Sequence, residues 1–422
     1  MNKRRILIIS PRPPYPLFSG GNHAQFHFIG ELLKEMNVSV CFEVDDQSYS
    51  GYAKLLKLWE GVTFYPLFNI KQKKTLLDLY REGKSIIRDI KKRILSLIQP
   101  RLAHIEDPIK YQSFINLPIF PQNCSFVNHV AEIININQFD VIQIDFISLA
   151  PLVYILPADA IKILVHHEIR YIRIQREMDL FKNVEAFDLC RIKAIKDEEI
   201  LLLRKFNKII TLTEKDKEIL SLEIPSEKIY VSPASIPVLK TGPVTFIPFR
   251  NKLVFIGSSG HLPNTDGIDW FIKEILPEVE KGIPDIKLEI IGRWEPDYKK
   301  RYQKRNIVFS GFIENLETVF FSSLLIVPIR IGSGMRLKII EAVNLGVPFI
   351  TTTIGVEGLN FENNKECIIA DSAEDFAKGI CSISNQESRQ KLMAVNASIK
   401  LNTEFSFESA IKKRLDFYNL IT

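Results

Sequence analysis

Short runs of β-branched and aromatic residues punctuate the chain from one end to the other. In the first half they are RILIIS, VSVCFEV, VTFYPL, DVIQID, IKILVH, KIITLT and KIYVS; in the second they are KLVFIG, IKLEIIG, NIVFSG, LLIVPI, PFITTT and CIIA. Several are apolar without alternation, which is the pattern of strands buried on both faces. Between many of them apolar residues recur at helical spacing, as in AQFHFIGELLKEM (Ala24–Met36) and DGIDWFIKEILPEVEK (Asp266–Lys281). Strand alternating with helix predicts parallel sheets covered by helices. Each half opens with strand, glycine-bearing loop and helix, so the pattern predicts two doubly wound α/β domains facing a cleft. Pro233, Pro237, Pro243 and Pro248 crowd the stretch Ser232–Lys252 and mark a hinge. The expected domains are 1–236 and 251–404, with a linker at 237–250. The closing segment Phe405–Thr422 reads as a helix capped near Ser406 or Ser409.

The composition agrees with this picture. A chain of 422 residues is long for one hydrophobic core, and 46% hydrophobic with 25% charged residues excludes disorder over most of it. The net charge of +5 is too small to argue for a nucleic-acid partner. Cys41, Cys124, Cys190, Cys367 and Cys381 stand far apart with no paired spacing, so neither a disulfide framework nor a zinc site is expected. A reducing, cytoplasmic setting fits best. The apolar stretch Phe146–Leu156 is about half of the roughly 20 residues that a bilayer span needs. One segment departs from the average. Ile70–Leu102 carries ten cations against three carboxylates, with Ile86, Ile87, Ile90, Ile94, Leu97 and Ile98 at helical spacing. A basic amphipathic helix of this kind serves equally as a solvated surface helix or as a dock on an anionic membrane surface, which would make the protein peripheral on the inner face.

The chemistry concentrates in IRIGSGMRLKIIEAVNLGVPFITTTIGVEGL, Ile329–Leu359. LLIVPIR reads as a buried strand, IGSGM as a turn, and RLKIIEAVNLG (Arg336–Gly346) as a helix stopped by Gly346, with Ser333 or Gly334 at the N-cap. Bare N–H groups at a helix start, reached over glycine, form an anion site. Arg336 and Lys338 add full positive charge beside it. Glu341, further along, can accept hydrogen bonds from the hydroxyls of a ribose. Together these features describe a nucleoside-diphosphate site. Taken singly they have plainer uses: Lys338 and Glu341 can bridge as an i, i+3 surface pair, and the glycines can serve the turn alone.

This stretch resembles the nucleotide-sugar signature of family-four retaining glycosyltransferases with the GT-B fold, two Rossmann-like domains, in its GxGxRxKxxE form. LVFIGSSGHLPNTDGIDWFIKEILPEV, IKLEIIGRW and NIVFSGFIENLETVF resemble the rest of the family's second domain; PPYPLFSGGNHAQFHFIGELLKE and KIITLTEKDKEIL resemble parts of its first. The resemblance implies transfer of a hexosyl group from a nucleotide-diphosphate sugar to a glycan or lipid-linked acceptor, with no metal or other cofactor. It implies that Glu341 holds the ribose and that Ser333 and Gly334 approach the donor sugar. Arg336 and Lys338 would neutralise the diphosphate. Gly292 and Arg293, with Gly311, Phe312 and Ile313, would lie near the base and ribose, Gly257 would belong to the donor site, and Gly20 and Gly21 would close over the phosphates and the acceptor from the first domain. His166, at a strand end beside His167, would contact the donor sugar, unless it is a core histidine. A terminal helix crossing back to the first domain is also implied. Two positions depart from the family: Ser333 stands where a glutamate is common, and the loop GSSGHLPN lacks its arginine and lysine. An epimerase of the same fold and a two-domain binding protein without turnover are the alternative readings.

Overall fold

The computed structural model describes residues 3–17, 20–69, 123–180, 184–234, 236–237, 246, 248–313 and 315–421. The basic segment Ile70–Leu102 and most of the linker lie outside them, and with them the expected membrane contact.

Each apolar run named above supplies one strand. The first sheet holds β1 (Arg5–Ile9), β2 (Asn37–Val44), β3 (Thr63–Phe68), β4 (Val141–Asp145), β5 (Ile161–His166), β6 (Lys208–Thr211) and β7 (Ile229–Val231). Its order is β3-β2-β1-β4-β5-β6-β7. The second holds β8 (Lys252–Ile256), β9 (Lys287–Ile291), β10 (Ile307–Gly311), β11 (Ser323–Val327), β12 (Phe349–Thr351) and β13 (Ile368–Ile369), in the order β10-β9-β8-β11-β12-β13. All neighbours in both sheets run parallel. In each sheet the winding reverses beside the first strand, between β1 and β4 and between β8 and β11. Such a reversal opens a crevice at the carboxyl ends of the strands.

Burial explains why these runs became strands. Ile6, Leu7, Ile8 and Ile9 of β1 are all fully buried; Ile6 and Ile8 join one apolar cluster, while Leu7 and Ile9 join the other. A period of two with both faces covered is what a central parallel strand requires. The helices differ from expectation at their ends. The first begins at Gly20, four residues before the apolar pattern, and ends at Leu32. The helix expected over Asp266–Lys281 is composite: Leu262–Trp270, a π-helical turn at Phe271–Ile275, then Leu276–Gly282. Pro277 lacks the N–H that would continue the regular ladder, and the wider turn stands just before it.

The closing helix, Phe407–Leu420, is capped by Ser406, whose Oγ accepts from the Ser409 N–H at 3.2 Å. It packs on the first sheet. Phe417 stacks on Tyr230 at 4.3 Å, the Arg414 guanidinium lies 3.9 Å from the centre of the Phe28 ring, and the buried Tyr418 hydroxyl donates to Gln143 of β4. The chain therefore passes from the first lobe to the second and returns.

Candidate functional site

Strand β11 is buried at all five positions and delivers the chain into a loop that faces the first sheet. Gly332 and Gly334 hold φ angles of +117° and +78°. A side chain at 334 would run into the carbonyl of His167, just past β5, and one at 332 into the Arg336 guanidinium. These glycines serve close approach as well as the turn. Ser333 is 3% exposed, and its Oγ accepts from the Ile169 N–H at 2.7 Å. Arg176, on the first-lobe helix Arg170–Met178, donates to the Gly332 carbonyl and pairs with both oxygens of Glu357 at 2.5 and 3.0 Å. The loop is thus fastened to the opposite lobe. The helix after it spans Leu337–Asn344, with Arg336 rather than Ser333 or Gly334 at the N-cap. The Ser333 hydroxyl is already engaged by Ile169, so it cannot cap. Gly346, with φ of +71°, follows the helix end.

Three charged side chains dominate the start of this helix. Arg336 Nη1 donates to the carbonyls of Ser333 at 2.6 Å and Gly334 at 2.9 Å, so one arm braces the loop and both carbonyls are occupied. Its Nη2 is buried with no hydrogen-bond partner among the described residues. Burial holds the Arg336 pKa below its usual value, against the pull of Glu168 and Glu357. Lys338 Nζ donates to Asn264 Oδ1 at 3.0 Å and sits 4.3 Å from the centre of the Phe255 ring. Burial, then the Arg336 charge, lowers its pKa to about 7. Glu341 is pushed up to about 7 by burial, with Lys338 opposing. The two do not pair with each other. Glu341 instead faces the first lobe, where His23 Nε2 stands 3.8 Å from its Oε1. That is too long for a hydrogen bond, and among the described residues the Glu341 carboxylate accepts none.

The other expected residues fall in two places. Gly257, Gly292 and Gly311 line the carboxyl edge of the second sheet: the Gly257 N–H donates to Ile291, and the Gly292 N–H to Gly311 at 2.7 Å. The Asn264 carboxamide lies over Gly257 where a side chain would stand. Arg293 follows on, its carbonyl accepting from the Ser259 N–H at 3.0 Å, and Phe312 is 40% exposed beyond β10. Gly20 and Gly21 open the helix that carries His23 to Glu341. His166 is not on the cleft surface. It is fully buried, with Nε2 2.8 Å from Glu199 Oε1, because a carboxylate at that depth needs a partner. His167 lies nearer the gap, stacked on Phe146 at 4.0 Å.

Sequence reasoning missed His23, Arg176, His261 and Glu357. His261 precedes the helix Leu262–Trp270, and crowding by the surrounding chain, then the charges of Arg336, Lys338 and Arg173, lowers its pKa. The loop after β8 has no arginine or lysine, but cations from two other elements converge beside it. A histidine in the first turn after Gly20–Gly21 was the one visible signal for His23. Among the described residues no group of three or more His, Cys, Asp or Glu side chains is arranged to hold a metal ion.

Comparison with known proteins identifies the fold. Residues 250–386 match the family described as glycosyl transferases group 1. An uncharacterized 44.6 kDa protein in the cps region of Klebsiella pneumoniae is 26% identical over 234 residues, covering 52% of this chain and 58% of that protein. The match thus spans little more than half the length of that relative. Among solved structures, TarM of S. aureus aligns with a TM-score of 0.67 at 14% identity over 99% of both chains. Anabaena HepE, solved with UDP and glucose, aligns with a TM-score of 0.64 at 12% identity over 99% of both. Sucrose-phosphate synthase from Thermosynechococcus elongatus gives 0.66 at 14% over 99% of both. The two parallel-sheet lobes form the GT-B fold, and residues 250–386 of the second lobe are similar to group 1 glycosyltransferase domains.

Proposed function

We propose that this chain transfers a hexosyl group from a nucleotide-diphosphate sugar to a glycan or lipid-linked acceptor, with retention of anomeric configuration. One observation carries the reading. Glu341 is a carboxylate only 15% exposed that accepts no hydrogen bond among the described residues, although polar groups so enclosed in folded proteins are mostly paired. It stands one turn beyond Lys338, on the helix that follows the glycine loop. A ribose would supply the missing donors, and the adjoining diphosphate would meet Lys338, the open Nη2 of Arg336 and the helix start. Those charges stabilise the leaving nucleoside diphosphate, so the proposal needs no metal ion.

The transfer breaks the bond between the anomeric carbon and the diphosphate oxygen, and forms one to an acceptor hydroxyl on the same face. The acceptor's proton passes to the departing phosphate. Swinging of the lobes would shield the bound donor from water. UDP in the HepE complex makes uridine nucleotides the first to test, and the cps-region relative supports a polysaccharide acceptor.

A thermal-shift series with UDP, GDP, ADP and their sugars tests the reading, because a ligand stabilises the fold according to its occupancy. One nucleotide series should raise the melting temperature, and Glu341→Ala should abolish most of the rise. An undiminished shift in that variant would remove the ribose assignment. With the donor in hand, product NMR would show whether the configuration is kept.

A further inference from the structure

Glu341 and His23 come from different lobes, His23 in the first turn of the helix that opens at Gly20 and Glu341 midway along the helix Leu337–Asn344. Their facing atoms, Oε1 and Nε2, are 3.8 Å apart, and both side chains keep some access to solvent, 15% and 26%. The Leu17 backbone also lies against the His23 ring and favours a proton on it. A neutral imidazole has one N–H, and a carbonyl can only accept it. We assign that proton to Nδ1, which leaves Nε2 as an acceptor. Burial lowers the His23 pKa, which favours this neutral form.

With Glu341 ionised, two acceptors then stand side by side with no donor between them. Neither satisfies the other. A ligand that brought two adjacent hydroxyls would satisfy both with parallel hydrogen bonds, and a spacing of 3.8 Å is one that a vicinal diol can straddle. We propose that His23 is a ligand-binding residue that, with Glu341, clamps the 2′,3′-diol of the donor's ribose, each residue accepting one hydroxyl. The inference rests on the nucleotide-sugar reading above and extends it: the nucleotide is held from both lobes at the pentose, so donor binding itself draws them together.

Deoxynucleotides test it. Wild-type protein is titrated calorimetrically with UDP, GDP and ADP, and the tightest is compared with its 2′-deoxy and 3′-deoxy counterparts. Each missing hydroxyl should weaken binding about tenfold, the loss of one hydrogen bond to a buried acceptor. His23→Ala should bind the parent nucleotide about tenfold more weakly and should no longer distinguish it from one of the two deoxy forms, while still distinguishing the other. His23→Gln, which keeps an acceptor on a similar stem, should retain much of the lost discrimination. Two results would overturn the clamp alone: His23→Ala discriminating both analogues as the wild type does, or weakening all three ligands equally. Failure of the wild-type protein to bind any of the three nucleotides would remove the donor reading and the clamp with it.

Discussion

At position 341 a carboxylate is held where burial opposes its charge, and this has a sign that can be checked. Its pKa rises from 4.5 to about 7, so between those values the folded chain keeps a proton that the unfolded chain has lost. Stability from this group therefore falls as pH rises across that window. Lys338 is displaced the other way, from 10.5 to about 7, so its contribution climbs again as the pH rises above 7. Glu341→Gln should flatten the acid side of this profile and stabilise the ligand-free protein at pH 7 to 8, by on the order of 1–3 kcal/mol. Scanning fluorimetry from pH 5 to 8 would show it, and the same variant should respond less strongly to nucleotide. Lys338→Met should lower kcat/KM about 100- to 1,000-fold, as for loss of a group that stabilises leaving charge, measured as release of nucleoside diphosphate. Glu341 and Lys338 were legible in the sequence because they follow a strand and a glycine turn in fixed order. His23 and Arg176 were not, since their partners lie far along the chain and only the folded lobes bring them together. His166 shows the same limit: its place at a strand end was legible, but Glu199, on a separate helix, decides which way it serves.

The strands were the most legible elements, because an unbroken β-branched run has few other places to go than the middle of a parallel sheet. Helix ends were less so. The helix Leu337–Asn344 starts at a point set by what its would-be cap is doing elsewhere: the Ser333 hydroxyl holds Ile169. The loop before it depends on glycine in a way that mutation can measure. Gly334→Ala forces a left-handed residue to carry a side chain against the His167 carbonyl, and should destabilise the fold by about 1–3 kcal/mol while weakening nucleotide binding. Gly260→Ala is the control. It lies in the loop after β8 with open space around it and no left-handed angle, so its melting temperature should stay near that of the wild type.

On the scale of the whole molecule, the closing helix belongs to the first lobe's packing although the second lobe precedes it in sequence. Truncation before Phe407 would strip the cover from Phe28 and Tyr230 and leave Gln143 without the Tyr418 hydroxyl. Trp59 lies in the first lobe; Trp270 and Trp294 lie in the second. The truncated chain should therefore show an early transition in Trp59 fluorescence, with the signal from the other two tryptophans melting near the wild-type temperature. Coincident early melting of all three would mean that the lobes unfold as one unit. The same return path has a mechanical consequence. A body hung from a single strap can twist as well as swing, whereas one hung from two swings mainly about the line that joins them. With the backbone crossing twice, any closing motion would bring the same two helix faces back into register, much as a door on paired hinges finds its strike plate.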